Sequence, residues 1–406
     1  MKFFHLHKPV MPGPFFLIFL LLLQVGACIN AQKKSRFQVK FLNEQILKKD
    51  RQFEGLSVGG LSALTFDEGT GEFLALSDDK LNHRFYRLQL QRLDTSDTQQ
   101  KKKKWTAPFI NNKNNSPSFQ FILKEQVLLR EKNSKNMNRN MDPEGLALKD
   151  QTLFITSEGQ QIFNPPEPPQ IFIFSKAGIL KKAWSVPSVF WNKEKFSSVG
   201  ARENKGFESL TLTEKYLWTA TEKALKQDMN RLLRLSGFGL KTGKLLRQYP
   251  YFLDFTAGLS EMIAITDKIF LTLERAYDKK TGENQVWLFV THCREATDLM
   301  TLPDQSLKYS VHLKSLVPAV MIQKTKSSLR KLTKSNRIIP CNKDLLFDFS
   351  KLPPGVTADN LEGMTLGPKI SQGGQLLVFT SDNNFSSSQK TQFLFFRISP
   401  VINSSD

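Results

Sequence analysis

The sequence predicts an all-β propeller. Three observations carry that reading: a strand phrase that recurs along the chain, a polar turn after each copy, and a second apolar run that ends in an acid. The copies read Asp142-Pro143-Glu144-Gly145-Leu146-Ala147-Leu148, Gly206-Phe207-Glu208-Ser209-Leu210-Thr211-Leu212, Leu259-Ser260-Glu261-Met262-Ile263-Ala264-Ile265 and Asn360-Leu361-Glu362-Gly363-Met364-Thr365-Leu366. A neutral copy, Gly60-Leu61-Ser62-Ala63-Leu64-Thr65-Phe66, precedes them. Repetition of one supersecondary unit specifies the whole architecture, so it is weighed first.

Each copy alternates apolar and polar residues as a strand does. The turns are Glu68-Gly69-Thr70-Gly71, Lys149-Asp150-Gln151, Thr213-Glu214-Lys215 and Thr266-Asp267-Lys268. A return strand follows and closes on an acid: Glu158 lies 14 residues after Glu144, Glu222 14 after Glu208, Glu274 13 after Glu261, Asp78 16 after Ser62 and Asp382 20 after Glu362. The opening and closing acids of one hairpin are therefore expected at the same edge, and hairpins set radially would gather many carboxylates on one face. The interval from Glu274 to Glu362 is long enough for one more unit, opening at Val286-Trp287-Leu288-Phe289-Val290, so six blades are expected, with five and seven as the open alternatives. Arg36–Phe41 and Gln392–Ile398 both read as strands, and pairing them would close the ring and remove an exposed edge.

The N-terminus reads as an address. Lys2 and Lys8 precede an apolar stretch, Phe15 to Val25, too short to span a bilayer and suited to a signal peptide over residues 1–27. Leu23-Gln24-Val25-Gly26-Ala27-Cys28 is similar to a bacterial lipoprotein signal, in which Cys28 takes the lipid and holds the chain at a membrane surface; cleavage nearby, as after Ala31, is the other open reading. Residues 28–52 form an N-terminal segment with the closing strand, 53–398 the propeller and 399–406 a tail. Cys293 and Cys341 either pair, as an oxidising compartment allows, or stay as buried thiols. The charge of +19 concentrates in two basic insertions near 94–118 and 324–337. These read as solvated loops, or as an attraction for an anionic surface or substrate. They lack interleaved aromatics, so nucleic acid is not an expected partner.

Gly55-Leu56-Ser57-Val58-Gly59 matches a nucleophile pattern, but that motif needs a strand before it and a helix after it, whereas here the chain runs on into the first repeat strand. The carboxylates are the better chemistry. Oxygen ligands suit a hard cation, calcium being the one expected, and a cation relieves repulsion among gathered acids. Glu144, Glu208 and Glu362 are the candidate metal and catalytic groups, with Glu158, Glu222, Glu274, Asp382 and Asn384 as further metal ligands and Arg275 as a partner for an acid or an anionic substrate. The competing reading is that these acids satisfy backbone N–H groups and pair with Lys or Arg where blades meet.

Asn204-Lys205-Gly206-Phe207-Glu208-Ser209-Leu210, Leu225-Lys226-Gln227-Asp228, Leu273-Glu274-Arg275, Asn360-Leu361-Glu362-Gly363-Met364, Ser381-Asp382-Asn383-Asn384-Phe385 and Gln389-Lys390-Thr391-Gln392 resemble the phytase-like family described as esterase-like activity of phytase. The resemblance covers about residues 53–398. It implies a propeller, usually exported from bacteria, with an ester-hydrolysing activity. The chain departs from the pattern at Asn383, where a second Asp is common, at Ser209, where Gly usually follows, and at Glu261-Met262. The leading expectation is a periplasmic or envelope hydrolase of ester or phosphoester bonds, metal-assisted. The alternatives are a non-catalytic envelope propeller that binds a ligand or a protein partner, and a lactonase-like activity.

Overall fold

The computed structural model describes residues 37–93, 117–134, 136–137, 140–159, 167–191, 197–254, 257–302, 338–370 and 373–400. The expected signal peptide, Cys28, most of the 94–118 insertion and all of the 324–337 insertion lie outside these. No α-helix occurs among the described residues, and none is long and apolar enough to cross a membrane.

The first strand, β1 (Phe37–Ile46), is followed by a small hairpin, β2 (Gln52–Phe53) and β3 (Leu56–Ser57). Four consecutive sheets then run β4 (Leu61–Asp67), β5 (Glu72–Ser77), β6 (Arg84–Leu93), β7 (Ser118–Leu128); β8 (Pro143–Lys149), β9 (Thr152–Ser157), β10 (Gln170–Ser175), β11 (Leu180–Ser185); β12 (Phe207–Leu212), β13 (Tyr216–Thr221), β14 (Leu232–Gly239), β15 (Leu245–Phe252); and β16 (Gly258–Thr266), β17 (Ile269–Asp278), β18 (Glu283–His292), β19 (Asn342–Asp348). The last sheet is β20 (Leu361–Lys369), β21 (Gln375–Ser381) and β22 (Gln392–Pro400), completed on its outer edge by β1. The termini thus meet in one antiparallel pair, from Phe37 opposite Pro400 to Ile46 opposite Gln392. Ser57 sits in β3 with no helix after it, and its hydroxyl accepts a bond from Gln52 Nε2 at 2.8 Å, so the Gly55–Gly59 phrase is a hairpin.

The blades number five among the described residues, not six. Val286–Val290 does not open a blade; it lies inside β18, the third strand of the fourth sheet. The long interval arises because β18 and β19 are neighbours joined by a 49-residue connection, from Cys293 to Cys341. An insertion between the third and fourth strands of one blade lengthens the repeat without adding a blade. The stretch near 94–118 does the same between β6 and β7.

Each gap between neighbouring blades is filled by its own apolar cluster, which is where the heavy phenylalanine content goes. Phe121 of the first blade, 4.8 Å from Phe73 of the same blade, meets Phe393 and Phe395 of the fifth with ring centroids 5.0 and 5.2 Å away. Phe379 and Phe396 of the fifth pack on Phe347 and Phe349 after β18. The first and second blades meet through Leu76, Phe85, Leu146 and Ile155; the second and third through Ile173, Trp184, Phe207 and Phe238; the third and fourth through Trp218, Leu235, Met262 and Phe270. Aromatic pairs at these separations add to the area they bury.

Candidate functional site

The inner hairpin of every blade begins with the same irregularity. The register of β4–β5 slips between Leu61 and Ala63, of β8–β9 between Pro143 and Leu146, of β12–β13 between Phe207 and Ser209, of β16–β17 between Leu259 and Glu261, and of β20–β21 between Leu361 and Gly363. A bulge gives one strand an extra residue and re-aims its side chain. The extra residues here are Ser62, Glu144, Glu208, Ser260 and Glu362. Immediately after the return strands, Asp78, Glu158, Glu222 and Asp382 each donate a backbone N–H to the residue just before the inner strand, Gly60, Asp142, Gly206 and Asn360. Arg275 stands opposite Gly258 in the same place.

This register corrects the fourth copy by one residue. Ser260, not Glu261, is the counterpart of Glu144, and Arg275, not Glu274, is the counterpart of Glu158. A one-residue slip in a strand sends a side chain to the opposite face. Glu274 accordingly points away from the ring: it accepts bonds from Tyr251 Oη and the Asp254 N–H and pairs with Lys343. Glu261 is 1% exposed, and its Oε1 accepts from the backbone of Leu210 in the neighbouring blade at 3.1 Å and of Met262 at 2.9 Å. The structural role expected as an alternative is thus seen at these two positions.

The remaining acids converge. Asp142, Glu144 and Glu158 each present a carboxylate oxygen, and the three oxygens lie within 4.8 Å of one another; Glu158, Glu208 and Glu222 form a second such trio. Glu158 belongs to both. Burial and the neighbouring acids, Glu158 and Glu362 foremost, push the Glu144 carboxyl well above the usual range. Burial likewise raises Glu208 well above it, followed by repulsion from Glu158. Glu158 is pushed up to about 7 by burial, although a hydrogen bond with Glu208 favours its ionised form. Two carboxyls that share a proton avoid facing each other as like charges. Burial first and Asp382 second raise Glu362 to about 8, and burial first raises Asp382 to about 7. Asp78 is raised to about 7 by burial and by Glu362 and Asp142, and its Oδ1 is buried without a hydrogen-bond partner among the described residues.

Cations are fewer. Lys80 Nζ donates to Asp142 Oδ2 at 2.8 Å, Lys205 Nζ to Glu222 Oε2 at 2.5 Å and Arg275 Nη2 to Glu362 Oε1 at 2.9 Å. Asn360 Nδ2 also donates to Glu362 Oε1 at 3.0 Å, and Arg275 reaches Asn360 Oδ1. Burial works against the Arg275 charge, but Glu362, Glu222 and Glu208 outweigh it and hold its pKa above the ordinary value. Lys205 and Lys223 lie with Glu222 of the third blade and Arg275 of the fourth reaches Glu362 of the fifth, whereas Lys80 of the first is bonded to Asp142 of the second.

Asp142 and Lys80 were not among the expected site residues. Asp142 occupies a position held by Gly or Asn in the other copies, so the repeat made it look like a turn residue. Asp78 closes a hairpin whose opening residue, Ser62, is neutral, as Ser260 is in the fourth blade. Asn384 holds the rim: its N–H donates to Asp382 Oδ1 at 2.7 Å and its side chain to Gln389. Cys293 and Cys341 are joined in a disulfide, away from these acids, at the junction of β18 and β19. The donor set is all oxygen, buried, and short of positive charge, which fits a hard cation such as calcium better than a soft transition metal.

The family model for esterase-like activity of phytase matches residues 56–385, most of the chain. The chain belongs to the phytase-like family. The phytase-like match begins in β3 and ends at Phe385, so it takes in every acid of both trios. No curated protein matches the sequence. Among solved structures, the endo-arabinase from Bacteroides thetaiotaomicron VPI-5482 is 9% identical, with a TM-score of 0.39 over 88% of this chain and 99% of that one. A luciferin-regenerating enzyme is 9% identical, with a TM-score of 0.33 over 85% and 93%. The designed protein Ika4 is 11% identical, with a TM-score of 0.26 over 60% and 98%. Likenesses this low carry no argument about the chemistry of the phytase-like propeller.

Proposed function

We propose that this hydrolase-like propeller is exported and cleaves ester or phosphoester bonds at its carboxylate face with the help of a hard divalent cation. The observation that carries the reading is the pair of acidic trios joined through Glu158. Asp142, Glu144, Glu158, Glu208 and Glu222 would hold the ion, which supplies polarisation of a phosphoryl or acyl oxygen and a more acidic bound water. Glu362, outside both trios and raised to about 8, is protonated near neutrality and can give a proton to a leaving oxygen. Arg275, fixed by Glu362 and Asn360, faces charge that develops on the substrate as the bond breaks. The apolar stretch Phe15–Val25 and the Cys293–Cys341 bond support export, since such bonds persist in oxidising compartments.

The test is calcium binding by calorimetry together with a screen of model esters and phosphoesters, run on the wild type and on Glu208→Ala. Calcium binding, with turnover that Glu208→Ala loses, is the expected result. Absence of both calcium binding and Glu208-dependent turnover rejects the proposal.

A further inference from the structure

At the edge of the carboxylate site, between the first and fifth blades, lies a cavity of about 320 Å³ lined by Asp78, Asp79, Lys80, Asn384 and Phe385. Its polar groups belong to the acid cluster, since Lys80 is bonded to Asp142 and Asp78 is pressed by Glu362 and Asp142. Phe385 does not. It is a large apolar side chain left 45% exposed, the one phenylalanine among the described residues that is exposed. Leu81, on the loop that carries Asp78 to Lys80, is 89% exposed.

The placement of Phe385 is costly. Asn384 and Phe385 both take left-handed backbone angles, with φ of 47° and 49°. That region is uncommon for bulky residues, and a side chain held there is strained. The turn is held by three bonds: Asn384 N–H to Asp382 Oδ1 at 2.7 Å, Phe385 N–H to Asn383 Oδ1 at 3.3 Å and Ser386 N–H to the Asn383 carbonyl at 2.7 Å. Asn383 Oδ1 also accepts the Gly60 N–H at 2.8 Å, which ties the turn to the first blade.

One side of the ring is supported. The Arg84 guanidinium lies 6.0 Å from its centroid, at the outer limit of a cation–π contact. Arg84 is fully buried and cannot swing away: it donates to Asp79 Oδ2 at 2.5 Å, to the Asn82 and Ser57 carbonyls at 2.8 Å and to Tyr86 Oη at 2.7 Å. Gly60, at φ +60°, forms the floor. A Cβ there would stand 1.9 Å from Asp78 Oδ1 and 2.6 Å from Phe385 Cε2, so the unpartnered carboxylate oxygen and the ring edge meet over a single backbone atom.

We propose that this cavity is a subsite for an aromatic group of the substrate, with Phe385 as the platform and Asp78 as the acceptor for a hydroxyl on the ring. The substrate class is then hydroxyaryl esters, carboxylic or phosphoric. This rests on the proposed function for the reacting bond, which lies over the adjacent trios. A planar ring stacks on Phe385, and a hydroxyl in its plane reaches the Asp78 carboxylate where it lines the cavity. A polyanion with no apolar part would leave Phe385 in water and gain nothing from the strained turn.

The test is binding, read without turnover. Affinities of 4-hydroxybenzylphosphonate, benzylphosphonate, cyclohexylmethylphosphonate and methylphosphonate, and of the corresponding carboxylates, are measured by calorimetry in calcium. The wild type should bind the hydroxybenzyl compound about 10-fold more tightly than the methyl one and more tightly than the cyclohexylmethyl one. Phe385→Trp should keep that preference and Phe385→Ala should erase it, with the thermal midpoint showing that both variants fold. Asp78→Asn should narrow the gap between hydroxybenzyl and benzyl. Equal affinity for aryl and cyclohexyl compounds, a preference that survives Phe385→Ala, or no binding of any compound overturns the inference. Aryl preference without hydrolysis of the matching esters would retire the proposed reaction and leave the subsite standing; hydrolysis with no aryl preference would do the reverse.

Discussion

Raising the pH in the presence of a chelator should destabilise this protein, and calcium should reverse the trend. Glu158 is lifted from 4.5 to about 7, Asp78 and Asp382 from 3.8 to about 7, and Glu362 from 4.5 to about 8, in each case by burial first. An acid raised in this way keeps its proton in the folded chain at pH values where the unfolded chain has released it. The folded state then binds more protons, and stability falls as pH rises between the ordinary value and the raised one. It is fully present below about pH 4 and is lost through pH 7 to 8. For Glu158 alone the loss is roughly 3 kcal/mol. The other groups titrate together with it, so their losses do not simply add. A loss of that size lowers the melting temperature by roughly 5 °C in a domain this large. The assay is scanning calorimetry from pH 5 to 8.5 in chelator and in calcium. Calcium at 100 times its dissociation constant restores about 2.7 kcal/mol, and more readily at pH 8 than at pH 5, because protons compete for the same oxygens. A melting temperature that is flat or rises with pH in chelator, or a calcium shift equal at both pH values, would refute the reasoning.

Three further outcomes follow from the packing. Glu261→Ala strands the backbone N–H groups of Leu210 and Met262 and should cost about 1–3 kcal/mol for each, whereas Glu261→Gln, which keeps an acceptor, should cost much less; urea melts compare them. Gly145→Ala puts a Cβ 2.6 Å from Thr156 Oγ1, 2.7 Å from Leu210 Cβ and 2.9 Å from the Glu208 carbonyl, so about 1–3 kcal/mol should be lost and calcium affinity with it, as calorimetry would show. Replacing Cys293 and Cys341 together by Ser releases a loop of 48 residues' separation and should cost roughly 4 kcal/mol, read as a lower denaturant midpoint with any ester turnover retained.

The strand phrases were legible because alternation and turn residues are local properties, and all five became the inner strands of blades. Blade number was not, because Val286–Val290 reads the same whether it opens a blade or sits third within one. The fourth copy misled for a subtler reason. Ser260-Glu261 and Glu274-Arg275 each offer an acid one residue away from the position that faces the ring, and a bulge decides which residue turns inward. Composition cannot register that, whereas strand pairing does. Asp142 escaped notice because its importance is spatial: it sits opposite Glu158, not at the phrase's own glutamate. The pairing of Cys293 with Cys341 depended on β18 and β19 being neighbours across a long insertion, which spacing alone does not reveal.

The pairing of β1 with β22 sets an order of events for making this molecule. The seam joins Phe37 to Pro400, so the ring stays open until nearly the whole described chain has been delivered, and contacts of such long range form slowly. Until then β1 lacks its partner β22 and two neighbouring cores lack a wall. A chain exported in the unfolded state, as the proposal here requires, benefits from that delay. It cannot lock into shape halfway through a translocation pore, and it completes itself only when its last strand has arrived on the far side.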